Sequence, residues 1–199
     1  MKKVVLLVVL IAVAGVAAWF LFFKKKDGPP EEKQKPLTIQ ENSGSFNQSY
    51  ASLLDAYYQV KDALVASDTA KASVAGRQLA TAADSLKVSE IQGDSSGKLK
   101  EVAKVFAGTI SGSAQGLVGE AGIDGKRKEF EMIADAIWNL TRAVRYGGQK
   151  VYWQYCPMAF NNKGAYWLSN QRDIKNPYFG AQMLECGSTE DSLDYSKQQ

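Results

Sequence analysis

The chain has 199 residues, no histidine and two cysteines, and its formal net charge is only +3. Several of the lysines flank one apolar run, and no basic stripe is interleaved with aromatic residues, so nucleic acid is excluded as an expected partner. Without histidine, Cys156 lacks the usual base of a catalytic thiol and the usual zinc hydrolase ligand sets are missing, so we do not expect an enzyme.

The first predicted element is a membrane anchor. Residues 4–23 form an uninterrupted apolar run with lysines on both sides. About 20 such residues span a bilayer as one helix. A signal peptide is the alternative, but apolar residues continue past the possible cleavage sites. We therefore predict an N-terminal transmembrane helix within an anchor at residues 1–26, in contact with the lipid bilayer through residues 4–23.

Residues 27–45 follow the anchor and are rich in proline, glycine and charge. This composition buries too little apolar surface to fold, and it predicts a flexible linker. The chain beyond the linker is long enough for one domain with a core of its own.

Four amphipathic segments predict a helical bundle at residues 46–148. Each repeats apolar residues at helical spacing. We expect capping by Ser45, Asp68 and Asp124 and a stop at Gly147. The predicted faces are Leu53, Tyr57, Val60 and Leu64; Ala75, Leu79, Ala82 and Leu86; Leu99, Val102, Phe106 and Ile110; and Phe130, Ile133, Ile137, Leu140 and Val144.

The third of these segments, from about Lys98 to Leu117, has glycine at positions 108, 112 and 116, which share one side of a helix. One interpretation is a groove in which another backbone or a ligand approaches closely. The other, which we favour, is that the second half of this helix is frayed or looped, because each glycine lowers helix stability by about 1 kcal/mol. Short links favour antiparallel neighbours, so the predicted fold class is mainly α, an antiparallel four-helix bundle.

After the bundle the pattern changes. Residues 149–155, QKVYWQY, predict a short strand, and turn residues follow at Asn161–Gly164 and Asn176–Gly180. We expect an irregular cap at residues 149–190 that contains this one strand, and a frayed tail at residues 191–199.

The cap holds both cysteines, and each has a methionine nearby: Cys156 precedes Met158, and Met183 precedes Cys186. Thiolate and thioether sulfurs are soft donors that select monovalent copper or silver, so these four residues form a candidate metal site. The alternative is a structural disulfide, which would add roughly 3–4 kcal/mol by closing a loop of about 30 residues. The residues alone leave both open.

The pieces CPMA, GAYWLS, IKNPYFG and MLECG resemble a bacterial domain of unknown function that occurs alone or as the C-terminal module of copper- and silver-exporting periplasmic adaptor proteins. The resemblance is strongest from Val151 to Gly187, with a looser helical match back to Tyr50. Tyr155 stands where many members have histidine, which removes one candidate ligand.

The resemblance implies a helical domain attached to the bacterial inner membrane and facing the periplasm. It also implies copper handling, with Cys156, Met158, Met183 and Cys186 as the matching residues. The first functional hypothesis is a protein that binds monovalent copper or silver, or passes it to an efflux or assembly partner. The second is a non-catalytic accessory subunit of a membrane complex with a Cys156–Cys186 disulfide. Its candidate docking anchors are Trp153, Tyr166, Trp167 and Tyr178.

Overall fold

A computed structural model describes residues 42–197 of the chain. Within these residues four long helices come first: α1 (Gly44–Val65), α2 (Thr69–Asp84), α3 (Lys98–Gly119) and α4 (Ile123–Val144). Three strands follow, β1 (Val151–Cys156), β2 (Ala165–Ser169) and β3 (Ser188–Leu193). Between β1 and β2 lies α5 (Ala159–Asn162), a single turn whose backbone is largely left-handed. Short 3-10 turns occupy Val88–Glu90, Gly180–Gln182 and Tyr195–Lys197.

Only one of the three predicted N-cap residues caps its helix in the structure. The predicted cap of α2 is confirmed, because the Asp68 side chain accepts a hydrogen bond from the Lys71 backbone N–H at 2.9 Å. The cap of α1 is Ser43 rather than Ser45, and it accepts from the Phe46 N–H. Asp124 lies inside the first turn of α4, where a carboxylate suits the positive end of the helix dipole.

The predicted helical bundle is confirmed. Each long helix packs against the next, and side chains join the first helix to the last. The rings of Tyr57 and Phe130 stack with their centroids 5.1 Å apart, and the Tyr50 hydroxyl lies 2.7 Å from the Thr141 Oγ1. The predicted faces of α1 and α4 are fully or nearly fully buried. The bundle core therefore depends most on apolar and aromatic residues of these two helices.

The face predicted for α3 is partly wrong. Val102 is 44% exposed and Phe106 is half-buried, while the buried residues are mostly small: Ala103, Ala107, Ile110, Ser111, Ser113, Ala114 and Leu117. The expected fraying is wrong as well, because α3 continues through all three glycines to Gly119. Gly108 and Gly112 face open space. Gly108 nevertheless lines a surface pocket between the end of α2 and α3. At Gly116 a Cβ would lie 2.9 Å from the Glu129 carboxyl group, so the close approach occurs there.

The three strands form one antiparallel sheet in the order β2–β1–β3. Cys156 pairs with Ala165 of β2, and Tyr155 pairs with Ser188 of β3. The outer edge of β2 is covered by the bundle, because the Leu168 backbone N–H donates a hydrogen bond to the Tyr57 hydroxyl at 3.0 Å. This contact fixes the sheet to α1 and satisfies a buried edge donor.

The predicted fold class is therefore wrong for the cap, and its N-terminal transmembrane helix is not supported. The cap contains a three-stranded sheet instead of a single short strand, and β3 extends into the tail that was expected to fray. The transmembrane helix is not supported, since none of the helices in residues 42–197 is long and apolar enough to cross a membrane. The segment predicted to span the bilayer, residues 4–23, lies outside the described residues.

Candidate functional site

The two cysteines lie side by side. Cys156 is the last residue of the central strand β1, and Cys186 precedes β3 by two residues. Both are free thiols, and their Sγ atoms are 2.9 Å apart in a thiol–thiol hydrogen bond. A disulfide bond is about 2.05 Å long, so the two sulfurs are in close contact without being bonded. We call Cys156 and Cys186 the thiol pair; a shared metal site and a disulfide both require the two sulfurs to be neighbours, as they are here.

The two thiols differ in their surroundings. Cys156 has no exposed surface, whereas Cys186 is partly exposed. The hydrogen bond with Cys156, followed by burial, raises the pKa of the Cys186 thiol to about 11. Because each cause favours the protonated form, a metal ion that binds here must displace a firmly held proton.

The methionines lie at the surface, two residues after Cys156 and three residues before Cys186. Met158 is 44% exposed and precedes α5, and Met183 is 36% exposed and ends the 3-10 turn Gly180–Gln182. The Cys186 backbone N–H donates to the Met183 carbonyl at 3.1 Å. The sequence predicts four sulfurs around one centre, and the contact that the structure establishes is the one between the two thiols.

Gly187 allows the segment with Cys186 to approach β1. Its φ is +143°, a conformation that side chains disfavour. A Cβ at this position would lie 2.6 Å from the Tyr155 carbonyl oxygen and 2.9 Å from the Trp167 ring. Both distances are shorter than real Cβ contacts, so only glycine fits here without movement of the chain.

Asn176 holds the same segment from the other side. It is fully buried, its Nδ2 donates to the Cys186 carbonyl at 2.9 Å, and its backbone N–H donates to the Leu184 carbonyl at 2.8 Å. Its Oδ1 accepts from the Tyr178 N–H, as in an Asx turn. The sequence indicates the turn at residues 176–180. It does not indicate that this side chain positions Cys186.

The NPYFG segment, residues 176–180, also contacts the bundle. The Arg127 Nε donates to the Pro177 carbonyl at 2.9 Å, and its Nη2 donates to the Ser67 Oγ at 3.2 Å. Gly180 has φ +58°, and a Cβ there would lie 2.7 Å from the Val65 carbonyl oxygen. Arg127, which sequence reasoning missed, thus joins the α1–α2 turn to the segment that positions Cys186.

The loop between β1 and β2 is conformationally unusual. Phe160, Asn161 and Asn162 have φ of 51°, 59° and 66°, and Gly164 follows at 79°. Asparagine and glycine tolerate this region, but phenylalanine does so rarely. The Phe160 ring meets the Tyr178 ring edge to face at 5.3 Å, and this contact helps to hold the strained residue. The turn predicted at Asn161–Gly164 is confirmed.

The aromatic residues proposed as docking anchors are mostly core. Trp153, Trp167 and Tyr178 are buried, and Tyr166 is 36% exposed. Trp153 stacks between Trp138 of α4 and Tyr166 of β2, with centroids 4.8 Å and 5.0 Å away. This stack packs one face of the sheet against the bundle.

The donors available for a metal are sulfur atoms. In the part of the chain that the structure describes, Cys, Asp and Glu residues form no group of three or more that could hold a metal ion. The residues present fit a soft monovalent ion and do not fit a harder divalent ion that takes several oxygen ligands.

Residues 53–147 match the model of a family described as "Protein of unknown function (DUF3347)". The match runs from within α1 to just beyond α4 and ends before β1. The resemblance was expected to be strongest at Val151–Gly187, whereas this match lies on the bundle. No curated protein and no solved structure matches the chain. The comparisons therefore show a domain of unknown function and assign no role to the thiol pair.

Proposed function

We propose that this domain binds monovalent copper or silver through Cys156 and Cys186, with Met158 and Met183 as additional thioether donors. The observation that carries the proposal is the 2.9 Å contact between two free thiols with surface methionines within three residues of each. The domain would then pass the ion to an efflux or assembly partner in the periplasm. The expected resemblance of the cap segments to copper-exporting adaptor proteins is the reason for proposing this location and this partner.

The donor set favours copper and silver over other metals. Thiolates and thioethers are soft ligands, and monovalent copper and silver prefer them. The chain has no histidine to supply imidazole, and the described carboxylates form no group at the thiol pair. Two thiolates provide the charge to hold a monovalent cation, and thioethers add donors without further charge.

A structural disulfide is the second candidate, and the same contact favours it. Sulfurs 2.9 Å apart need a small movement to form a bond, and exported domains usually pair their cysteines. The domain would then be an accessory subunit whose crosslink stabilises the cap. The two functions exclude each other at any moment, because a disulfide offers no thiolates.

Metal retention by the reduced full-length chain tests the proposal. We expect one equivalent of monovalent copper to remain bound after passage over a desalting column without oxygen. Cys156→Ser and Cys186→Ser should abolish retention. Met158→Leu and Met183→Leu should weaken binding, whereas Met132→Leu is the matched control, since Met132 is 54% exposed on α4. Retention that survives both cysteine substitutions would contradict the proposal.

Intact mass before and after alkylation in denaturant, without reductant, separates the two candidates. Two added labels mean that the thiols are free to bind metal. No added label on a metal-free protein means that they are already paired, and this result would favour the structural disulfide.

A further inference from the structure

The two ligands of the proposed site differ in access. Cys156 has no exposed surface and belongs to the central strand of the sheet, with β2 on one side and β3 on the other. Cys186 is partly exposed and lies outside the helices and strands. An incoming ligand therefore reaches an ion between the two sulfurs from the side of Cys186.

Two of the three residues before Cys186 are exposed apolar side chains, and the third is the exposed Glu185. Met183 is 36% exposed and Leu184 is 38% exposed, and Met158, two residues after Cys156, is 44% exposed. The Leu184 and Cys186 carbonyls are both held by Asn176, so this short segment has a defined path despite its irregular form. We call residues 183–186 the access segment.

We propose that a bound monovalent ion leaves through the access segment by ligand exchange, in which Cys186 is displaced first and Cys156 last. The acceptor is a protein that presents cysteine or methionine sulfur. This inference rests on the proposed metal binding, and it adds the order of ligand release and the class of the partner.

The exchange step balances without a change in oxidation state. A thiol of the acceptor forms a bond to the ion as the bond from the ion to the Cys186 sulfur breaks. The proton of the incoming thiol passes to the departing Cys186 thiolate, and the ion remains monovalent. Cys186 leaves first because it is partly exposed to the incoming thiol, whereas Cys156 has no exposed surface.

Alkylation of the reduced, metal-free, full-length chain tests the difference in access. The alkylation rate of each thiol is measured with limiting iodoacetamide in the folded protein. It is then divided by the alkylation rate of the same thiol in denaturant, which removes differences in intrinsic reactivity. We expect Cys186 to retain at least ten times more of its unfolded reactivity than Cys156. Equal protection, or faster modification of Cys156, would overturn the inference whether or not the protein retains copper.

Transfer from the copper-loaded chain to bathocuproine disulfonate, a soft-binding chelator, tests the route. The transfer rate should rise in proportion to chelator concentration. Leu184→Ala should accelerate transfer several-fold and Leu184→Trp should slow it several-fold, with copper stoichiometry unchanged. Val105→Ala and Val105→Trp are the controls, since Val105 is 67% exposed on α3. A transfer rate that does not depend on chelator concentration, or equal effects of substitution at Leu184 and Val105, would overturn the proposed route. The proposal that the protein binds copper would still stand.

Discussion

Gly187 decides, at the scale of single residues, how closely the two thiols approach. Because an added Cβ would collide with the Tyr155 carbonyl, we predict that Gly187→Ala moves Cys186 away from Cys156. Oxidation of the thiol pair by oxidised glutathione should slow at least tenfold, as followed by the loss of free thiols. A variant that oxidises at the wild-type rate would mean that the backbone yields without separating the sulfurs.

Gly112→Ala is the matched control for this change. Gly112 is a helical residue of α3, and nothing lies within 4 Å of a Cβ built on it. We expect this substitution to leave the oxidation rate unchanged. It should stabilise the protein by about 0.5–1 kcal/mol in urea denaturation, because alanine loses less backbone entropy than glycine in a helix.

The raised pKa of Cys186 predicts the pH dependence of metal binding. Since this pKa is about 11, the thiol stays protonated through the neutral range and binding must release its proton. This thiol alone should raise the apparent association constant for monovalent copper by about tenfold per pH unit between pH 6 and 9. Competition titrations at several pH values measure the slope. An association constant that does not change between pH 6 and 9 would show that Cys186 does not ligate the ion as a thiolate.

At the scale of the elements, the sequence predicts the long helices well and the strands poorly. The apolar repeat of α4, from Phe130 to Val144, is regular and entirely buried, so periodicity alone locates it. The strand β3, with the sequence STEDSL, is polar, largely exposed and lacks apolar alternation. It forms because β1 pairs with it, and a contact between distant residues leaves no local pattern in the chain.

One tyrosine hydroxyl accepts the hydrogen bond from the buried backbone N–H at the outer edge of β2. In Tyr57→Phe, the buried Leu168 N–H loses its acceptor, and we predict a loss of about 1–3 kcal/mol in the free energy of unfolding. Tyr58→Phe is the control, because the Tyr58 hydroxyl is buried and has no hydrogen-bond partner among residues 42–197. That change should be neutral or slightly stabilising. Urea denaturation of both variants measures the difference, and equal losses would show that the hydroxyl is not the cause.

At the scale of the whole molecule, the candidate site is assembled from three distant parts of the chain. The sequence singles out the cysteines and the turns around them, because soft-donor spacing and turn residues are local signals. It does not reveal that Asn176 holds Cys186 or that Arg127 of α4 holds Pro177. Those roles depend on how the cap packs on the bundle. An arginine near a helix start reads in the sequence as an ordinary surface charge.

Arg127 is therefore the residue through which the bundle stabilises the thiol pair. It is 9% exposed, and its contact with Asp124 adds little because that carboxylate is 89% exposed. Replacing it in Arg127→Met removes the donors to Pro177 and Ser67 and leaves a buried carbonyl unsatisfied. Hydrogen bonds from charged groups contribute roughly 1.5–3 kcal/mol, so local opening of the cap should become roughly ten- to a hundredfold more frequent.

The rate of Cys156 alkylation measures this opening, because a thiol with no exposed surface reacts only when the cap moves. We expect the rate to rise at least tenfold in Arg127→Met, while circular dichroism shows unchanged helix content because the bundle core does not involve this contact. Arg142→Met, an exposed change in the last turn of the same helix, should leave the rate as it is. A wild-type rate in Arg127→Met would mean that β1 and its neighbours shield Cys156 without help from the bundle.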